Sequence, residues 1–112
     1  MSTYATIIPS GLTNGAPELI TGTNNAGRQE VHTAHATLHE ELFLDVFNVS
    51  AAAKELTVTL DGTDLIVVSI PSKVGPVRIL DGYRLTGGKI IAVYAPDATS
   101  LVMAANVNRI TP

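Results

Sequence analysis

The 112-residue chain has no cysteine and no tryptophan, and its only aromatic residues are three tyrosines and two phenylalanines. Without cysteine, a disulfide framework, a thiolate zinc site and a cysteine nucleophile are excluded. The net charge of −3 provides no basic surface for nucleic acid or an anionic membrane. No apolar run approaches the ~18 residues of a membrane span. Residues 1–25 also lack the basic and apolar regions of a secretory signal. We therefore expect a soluble protein that is not exported by that route.

Valine, isoleucine and threonine dominate the composition and together supply 33 of the 112 residues. β-Branched side chains are stiff at χ1 and pack well on a pleated surface, which favours strands over helices. Lysine, arginine and glutamate are too sparse for long helices held by ion pairs. The length suits one domain of roughly 100–150 residues. The composition predicts a single all-β domain.

Short apolar segments alternate with turn signals along most of the chain. The turn signals are Asp61-Gly62, Asp81-Gly82 and Gly87-Gly88, and we also place His39-Glu40 in a turn. Strands bounded by turns every ~8–12 residues are typical of a two-sheet sandwich. We predict an antiparallel β-sandwich, jelly-roll-like, of about seven to nine short strands. The main predicted strands are 29–38, 41–49, 56–60, 65–70, 77–80, 89–95 and 100–110.

The first 28 residues are rich in glycine, proline and asparagine, which interrupt regular structure. We interpret residues 1–16 as an extended N-terminal arm and residues 17–112 as the sandwich domain. The apolar side chains of this arm need a partner. The partner could be another chain, or it could be the sandwich itself if the arm is an edge strand that packs on its own domain. If the arm contacts another chain, deletion of residues 1–12 should leave a folded domain. The candidate interface residues are Tyr4, Ile7, Ile8 and Leu12.

Three histidines lie within eight residues, at His32, His35 and His39. On a helix they would share one face and could hold a metal ion, but on a strand His32 and His35 point to opposite sides. Because the surrounding composition favours a strand, we interpret them as surface or turn histidines. A pH-sensitive patch at an assembly interface is the alternative. The pattern predicts no metal site.

No arrangement of nucleophile, acid and base has the spacing of an active site. Asp61 and Asp81 each precede a glycine, where a turn aspartate bonds to its own backbone. The glycine-rich stretch 81–88 lacks the lysine of a phosphate-binding loop and opens a strand instead of a helix. We therefore expect no enzyme activity, no cofactor and no small-molecule substrate.

Two stretches of the chain, residues 17–63 (beginning PELITGTNN) and 65–111 (beginning LIVVSIPSK), resemble the two halves of small virion proteins of tailed bacteriophages. Asn48 matches the asparagine that ends a strand in those proteins, and the Leu-Thr-Gly-Gly turn at residues 85–88 fits their second half. The resemblance implies a capsid decoration, or cement, protein that binds the major capsid protein as a homotrimer. It implies synthesis in the host cytoplasm and a place on the capsid surface of the virion. The alternatives are a neck, tail or fibre component, or a non-enzymatic ligand-binding sandwich.

Overall fold

The computed structural model describes residues 3–73 and 76–111, which form two antiparallel sheets packed face to face. Sheet A contains five strands in the order β1-β9-β4-β7, with β2 paired to β9 beside β1, and sheet B contains four in the order β3-β8-β5-β6. Two short 3₁₀ turns lie at Thr13–Gly15 and Asn25–Gly27. In this described part, no helix is long and apolar enough to cross a bilayer. The strands are β1 (Thr3–Ile7), β2 (Glu18–Leu19), β3 (Gln29–Thr33), β4 (His39–Asn48), β5 (Lys54–Leu60), β6 (Thr63–Ile70), β7 (Val77–Leu85), β8 (Ile90–Tyr94) and β9 (Leu101–Thr111).

The period-two pattern of β4 sets the face that packs in the core. Leu42, Leu44 and Val46 are fully buried between the sheets, whereas Phe43 and Phe47 are half-buried on the outer face of sheet A. The inward side chains of β9 pair with them in register and extend the same apolar layer. The β-sandwich prediction is confirmed.

Of the three predicted turns that contain glycine, two are present in the structure and one is not. Asp61 and Gly62 both have positive φ, at 50° and 84°, as a tight two-residue hairpin turn between β5 and β6 requires. Gly87 and Gly88 likewise form the turn that leads into β8. Asp81-Gly82 is not a turn, because β7 continues through it and Gly82 is an extra residue opposite β4. A bulge of this kind needs the same positive φ that glycine supplies to a turn, so an Asp-Gly dipeptide in the sequence is compatible with either structure.

The prediction of a strand over residues 29–38 with a turn at His39-Glu40 is wrong in its boundaries. β3 ends at Thr33, and β4 already begins at His39. The chain reverses between them around His35, whose Nδ1 accepts hydrogen bonds from the backbone N–H groups of Thr37 and Leu38, both at 3.0 Å. The His35 side chain thus accepts backbone hydrogen bonds in the way that an asparagine or aspartate side chain does in many turns.

The expectation of a separate arm over residues 1–16 is corrected by the contacts of that segment. β1 pairs with β9 along its whole length and forms an edge strand of sheet A. Leu12 is buried in the core at 4% exposure, and Ile7 packs against the same core. Ile7 and Leu12 therefore fit the alternative, in which this segment contains an edge strand that packs on its own sandwich.

Gly11 lies so close to β3 that a side chain would not fit. Its backbone N–H donates to the carbonyl of Val31 at 2.9 Å, and a Cβ at this position would stand 2.0 Å from the carbonyl oxygen of Glu30. We expect Gly11→Ala to cost about 1–3 kcal/mol in the free energy of unfolding, because β3 must move. Urea denaturation measures this, and Gly27→Ala is the control, since its Cβ would meet nothing closer than 3.4 Å. Equal costs for the two variants would contradict the close approach.

Candidate functional site

A buried carboxylate forms the centre of a polar cluster at one end of the sandwich. Glu40 points inward from β4 and is 0% exposed. Its Oε1 accepts a hydrogen bond from His32 Nε2 at 2.7 Å and another from the backbone N–H of His35 at 3.1 Å. Its Oε2 accepts from Arg109 Nε at 2.7 Å. The Glu40 cluster, which comprises Glu40, His32 and Arg109, thereby joins β3, β4 and β9.

The N-terminal segment is held to the same cluster through Ser10. The backbone N–H of Ser10 donates to His32 Nδ1 at 3.1 Å, so this ring nitrogen is an acceptor and Nε2 carries the proton that is donated to Glu40. The Ser10 hydroxyl accepts from the backbone N–H of Thr33 and donates to Glu30 Oε2. The cluster therefore fixes the chain between β1 and β2 against β3.

The geometry favours a stabilising role for the Glu40 cluster over acid–base catalysis. A catalytic histidine needs one ring nitrogen free to reach a substrate proton, whereas both nitrogens of His32 are engaged within the protein. His32 and Glu40 are also almost completely inaccessible to solvent. Within residues 3–73 and 76–111, no group of three His, Asp or Glu side chains could hold a metal ion.

Opposing effects act on the Glu40 carboxyl. Burial by itself raises the pKa of Glu40, but hydrogen bonds from His32, Arg109 and the His35 backbone outweigh burial and bring the pKa below its ordinary value of 4.5. The carboxylate is therefore ionised at neutral pH and stabilises the fold in that form.

The lowered pKa predicts that the cluster is lost in acid. Its contribution to the free energy of unfolding is fully present above about pH 4.5 and decreases as the pH falls towards the lower folded-state pKa. We expect the stability difference between the native chain and Glu40→Gln to be large at about pH 7 and to shrink below about pH 4.5. Urea denaturation across this range checks it. Asp61 and Asp97 also have lowered pKa values, but they remain in both proteins, so the difference isolates Glu40. A difference that is constant with pH would contradict the assignment.

The structure separates the three histidines. The interpretation of His32 as a surface or turn residue is wrong, because it is 1% exposed and bonded to Glu40. His35 is half-buried in the loop after β3, and His39 is exposed at the start of β4. The signal that could have found the cluster is the alternation of β4, because Glu40 shares the inward phase of Leu42 and Leu44 and a buried carboxylate needs donors.

The four candidate interface residues have different environments. Tyr4 and Ile8 are 64% and 58% exposed, whereas Ile7 and Leu12 belong to the domain's own core. Tyr4 lies on the outer face of sheet A opposite Ile110, at the edge formed by β1. Two large apolar side chains thus stand on the solvent side of one edge. Whether they contact another chain stays a prediction.

The opposite edge of sheet A is charged. Arg78 on β7 bonds to Asp45 on β4 and to Asp81, and its guanidinium lies 5.3 Å from the centroid of the Phe43 ring. Arg84 pairs with Glu41 at 3.4 Å in the same two strands. The outer face of sheet A is therefore charged at the β7 edge, whereas Tyr4 presents an exposed aromatic side chain at the β1 edge.

Comparisons with known proteins agree with the fold. No protein-family model and no curated protein matches the chain. Among solved structures, the chain is similar to a family 35 carbohydrate-binding module from an environmental isolate, with a TM-score of 0.53, 16% identity, and coverage of 98% of this chain and 88% of the module. It is also similar to exo-β-1,3-galactanase from Phanerochaete chrysosporium, with a TM-score of 0.53, 13% identity, and coverage of 96% of this chain and 26% of the enzyme. A β-(1,4)-mannanase from Podospora anserina that carries a family 35 module matches with a TM-score of 0.51, 11% identity, and coverage of 97% and 28%.

These likenesses concern architecture alone. The identities are between 11% and 16%, and a shared sandwich architecture is compatible with many functions. The chain spans only about a quarter of the length of the two enzymes. The comparisons therefore establish the fold alone, which is a sandwich of two antiparallel sheets.

Proposed function

We propose that the chain is a non-enzymatic structural protein of a phage virion, and that it decorates and stabilises the outside of the capsid. The observation that carries the proposal is the pair of exposed apolar side chains, Tyr4 and Ile8, at the N-terminal edge of sheet A. They add to the resemblance of residues 17–111 to small virion proteins of tailed phages. The partners are the major capsid protein and further copies of this chain.

The burial of these two side chains provides a contact of the strength that decoration requires. Full burial of one large apolar side chain contributes roughly 1.5–3 kcal/mol, and both are more than half exposed in the isolated chain. A few kcal/mol per copy is weak alone, but linked copies bound to a symmetric shell act together by avidity. The stable sandwich, tied together by the Glu40 cluster, would hold this edge in a fixed position on the shell.

Reconstitution on particles that lack the protein tests the proposal. The purified chain is added to virions of the phage from which its gene has been deleted, and the bound fraction is measured by sedimentation. We expect saturable binding, and at least a tenfold loss of affinity for the double variant Tyr4→Ser, Ile8→Ser, since this corresponds to about 1.4 kcal/mol. Val49→Ser is the matched control, because Val49 is 60% exposed just beyond the far end of β4. Failure to bind, or equal binding by the double variant, would contradict the proposal.

A second candidate is a non-enzymatic carbohydrate-binding module. It is favoured by the likeness to a family 35 module over 98% of this chain. Ligand sites of this kind are lined by aromatic side chains with a few polar groups, and of the five aromatic residues only Tyr4 is largely exposed. Calorimetric titration with oligosaccharides of galactose, mannose and xylose distinguishes the two candidates. Saturable sugar binding that Tyr4→Ser abolishes would favour the module over decoration.

A further inference from the structure

Three of the four edges of the two sheets carry features that prevent another strand from pairing. β7 has two register shifts against β4 and carries the charges of Arg78, Asp81 and Arg84. β3 has a register shift and is covered by the N-terminal segment, where Gly11 donates to Val31. The edge of sheet A next to β9 is formed by two short strands, β1 with five residues and β2 with two. Bulges, charges, covering segments and short strands are the ways in which proteins protect sheet edges.

The fourth edge, β6, lacks this protection over most of its length. It is eight residues long, and from Leu65 to Ile70 it contains no charge and no proline. Its single register irregularity lies next to the hairpin turn, at Leu65, and leaves residues 66–70 in regular pairing with β5. Val67 and Leu65 are 56% and 39% exposed on the outer side. We call this strand the β6 edge.

The core is incompletely closed at the β6 edge. Ile66 and Val68 point inward and pack against the buried cluster, yet both remain partly exposed. A strand placed beside β6 would cover these side chains and would also pair the backbone N–H and C=O groups that an edge strand leaves unpaired. The occupant that fits is therefore an extended strand with alternating apolar residues.

We propose that the occupant is the β6 edge of a second copy, paired antiparallel about Val67 in a two-fold dimer. In this register Ile66 faces Val68 of the other copy, so inward residues meet inward residues and the two cores become continuous. Leu65 faces Ser69, and Val67 faces its equivalent on the outer side. Identical edges paired in this way produce an isologous interface that closes on itself. The dimer replaces the homotrimer that the phage resemblance implies, and it does not depend on capsid binding.

Charge does not oppose this pairing. Asp64, the one charged residue of β6, lies beyond the irregularity at Leu65, three residues from the two-fold axis. Its carboxylate already accepts a hydrogen bond from Tyr94 at 3.1 Å. The two Asp64 residues would be about 20 Å apart along the strands, at roughly 3.4 Å per residue. This distance exceeds the screening length of about 8 Å at physiological ionic strength.

Light scattering tests the dimer first, at concentrations from about 1 μM to about 1 mM, because a single strand pair buries less than a standard interface of ~1,600 Å². We expect the mass to rise with concentration to twice the 11.7 kDa of the chain. Val67→Lys should weaken dimerisation at least tenfold, because a charge then faces its equivalent at the axis. The matched control is Val49→Lys, since Val49 is 60% exposed but follows β4 in sheet A. A chain that is monomeric throughout, a trimer, or a dimer that Val67→Lys leaves intact would overturn the proposal.

Cysteine cross-linking provides the second test, which the absence of native cysteine makes unambiguous. Directly opposite residues of antiparallel strands have Cα atoms about 4.5–5.5 Å apart, within the range of a disulfide. We expect Val67→Cys to form a cross-linked dimer under mild oxidation much faster than Val49→Cys at the same concentration, since Val49 is similarly exposed but lies outside β6. Equal rates for the two variants would show that Val67 is not at a two-fold interface. Both proteins are checked for a native circular dichroism spectrum, so that unfolding cannot account for either result.

Discussion

Deletion of residues 1–12 is expected to prevent stable folding. It removes the whole of β1, which pairs with β9 over five residues, together with the buried side chain of Leu12. It also removes Ser10 and Gly11, whose hydrogen bonds reach His32 and Val31. Loss of a core leucine costs about 2–5 kcal/mol, and each lost hydrogen bond about 0.5–1.5 kcal/mol. The sum is comparable to the ~5–15 kcal/mol that stabilises a typical domain.

The measurement is thermal denaturation followed by circular dichroism and one-dimensional NMR. The deletion variant should show poor chemical-shift dispersion in its NMR spectrum and no cooperative thermal unfolding transition. The double variant Tyr4→Ser, Ile8→Ser is the control, because both side chains are exposed and such changes cost less than about 1 kcal/mol. A deletion variant that melts cooperatively near the native temperature would mean that residues 1–12 form a dispensable arm after all.

Replacement of Glu40 by alanine is expected to produce the largest effect of any single substitution in the polar cluster. It leaves His32 Nε2–H, the His35 backbone N–H and the Arg109 guanidinium without their shared acceptor. A buried donor left without its acceptor costs about 1–3 kcal/mol, which applies to His32 Nε2–H, whereas the Arg109 side chain is 29% exposed and can turn to solvent. In a domain near this size, 1 kcal/mol lowers the melting temperature by about 4–8 °C. We expect a decrease of about 10 °C.

The neighbouring Glu41 provides a matched control for this substitution. It has the same side chain on the same strand, but it points to the outer face and pairs with the exposed Arg84 at 3.4 Å. Exposed ion pairs contribute ~0–1 kcal/mol, so Glu41→Ala should change the melting temperature by only a few degrees. Similar melting temperatures for the two alanine variants would refute the stabilising role of the Glu40 cluster. The variant His32→Ala should show an intermediate loss.

Local patterns in the sequence predicted those parts of the fold that depend on neighbouring residues. The short β-branched and apolar segments between turn signals predicted a β-sandwich, but the strand at residues 41–49 is apolar on both faces, so its alternation did not show which face packs in the core. The Asp61-Gly62 dipeptide identifies a hairpin, since few residues other than glycine, asparagine and aspartate adopt positive φ at low cost. The same reasoning wrongly predicted a turn at Asp81-Gly82, where the positive φ of Gly82 belongs to a bulge in β7.

The alternation of β4 could have marked Glu40 as an inward carboxylate, but its partners and the N-terminal edge could not be predicted from local patterns, because long-range contacts create them. Arg109 and Glu40 are 69 residues apart in the chain, and Ser10 and His32 are 22 apart. Leu12 stands among glycine, proline and asparagine, and its local sequence contains no periodicity that would mark it as buried. Only the pairing of β1 with β9 and the crossing of the chain to β3 bring it into the core.

The most direct test of the proposed virion function is the number of copies of this chain in purified virions of the phage that encodes it. Quantitative mass spectrometry, calibrated against the major capsid protein, gives this number. A decoration protein follows the symmetry of the shell, so we expect on the order of hundreds of copies per particle. About a dozen copies would place the chain in the neck or tail instead, and its absence from the particle would contradict the virion proposal.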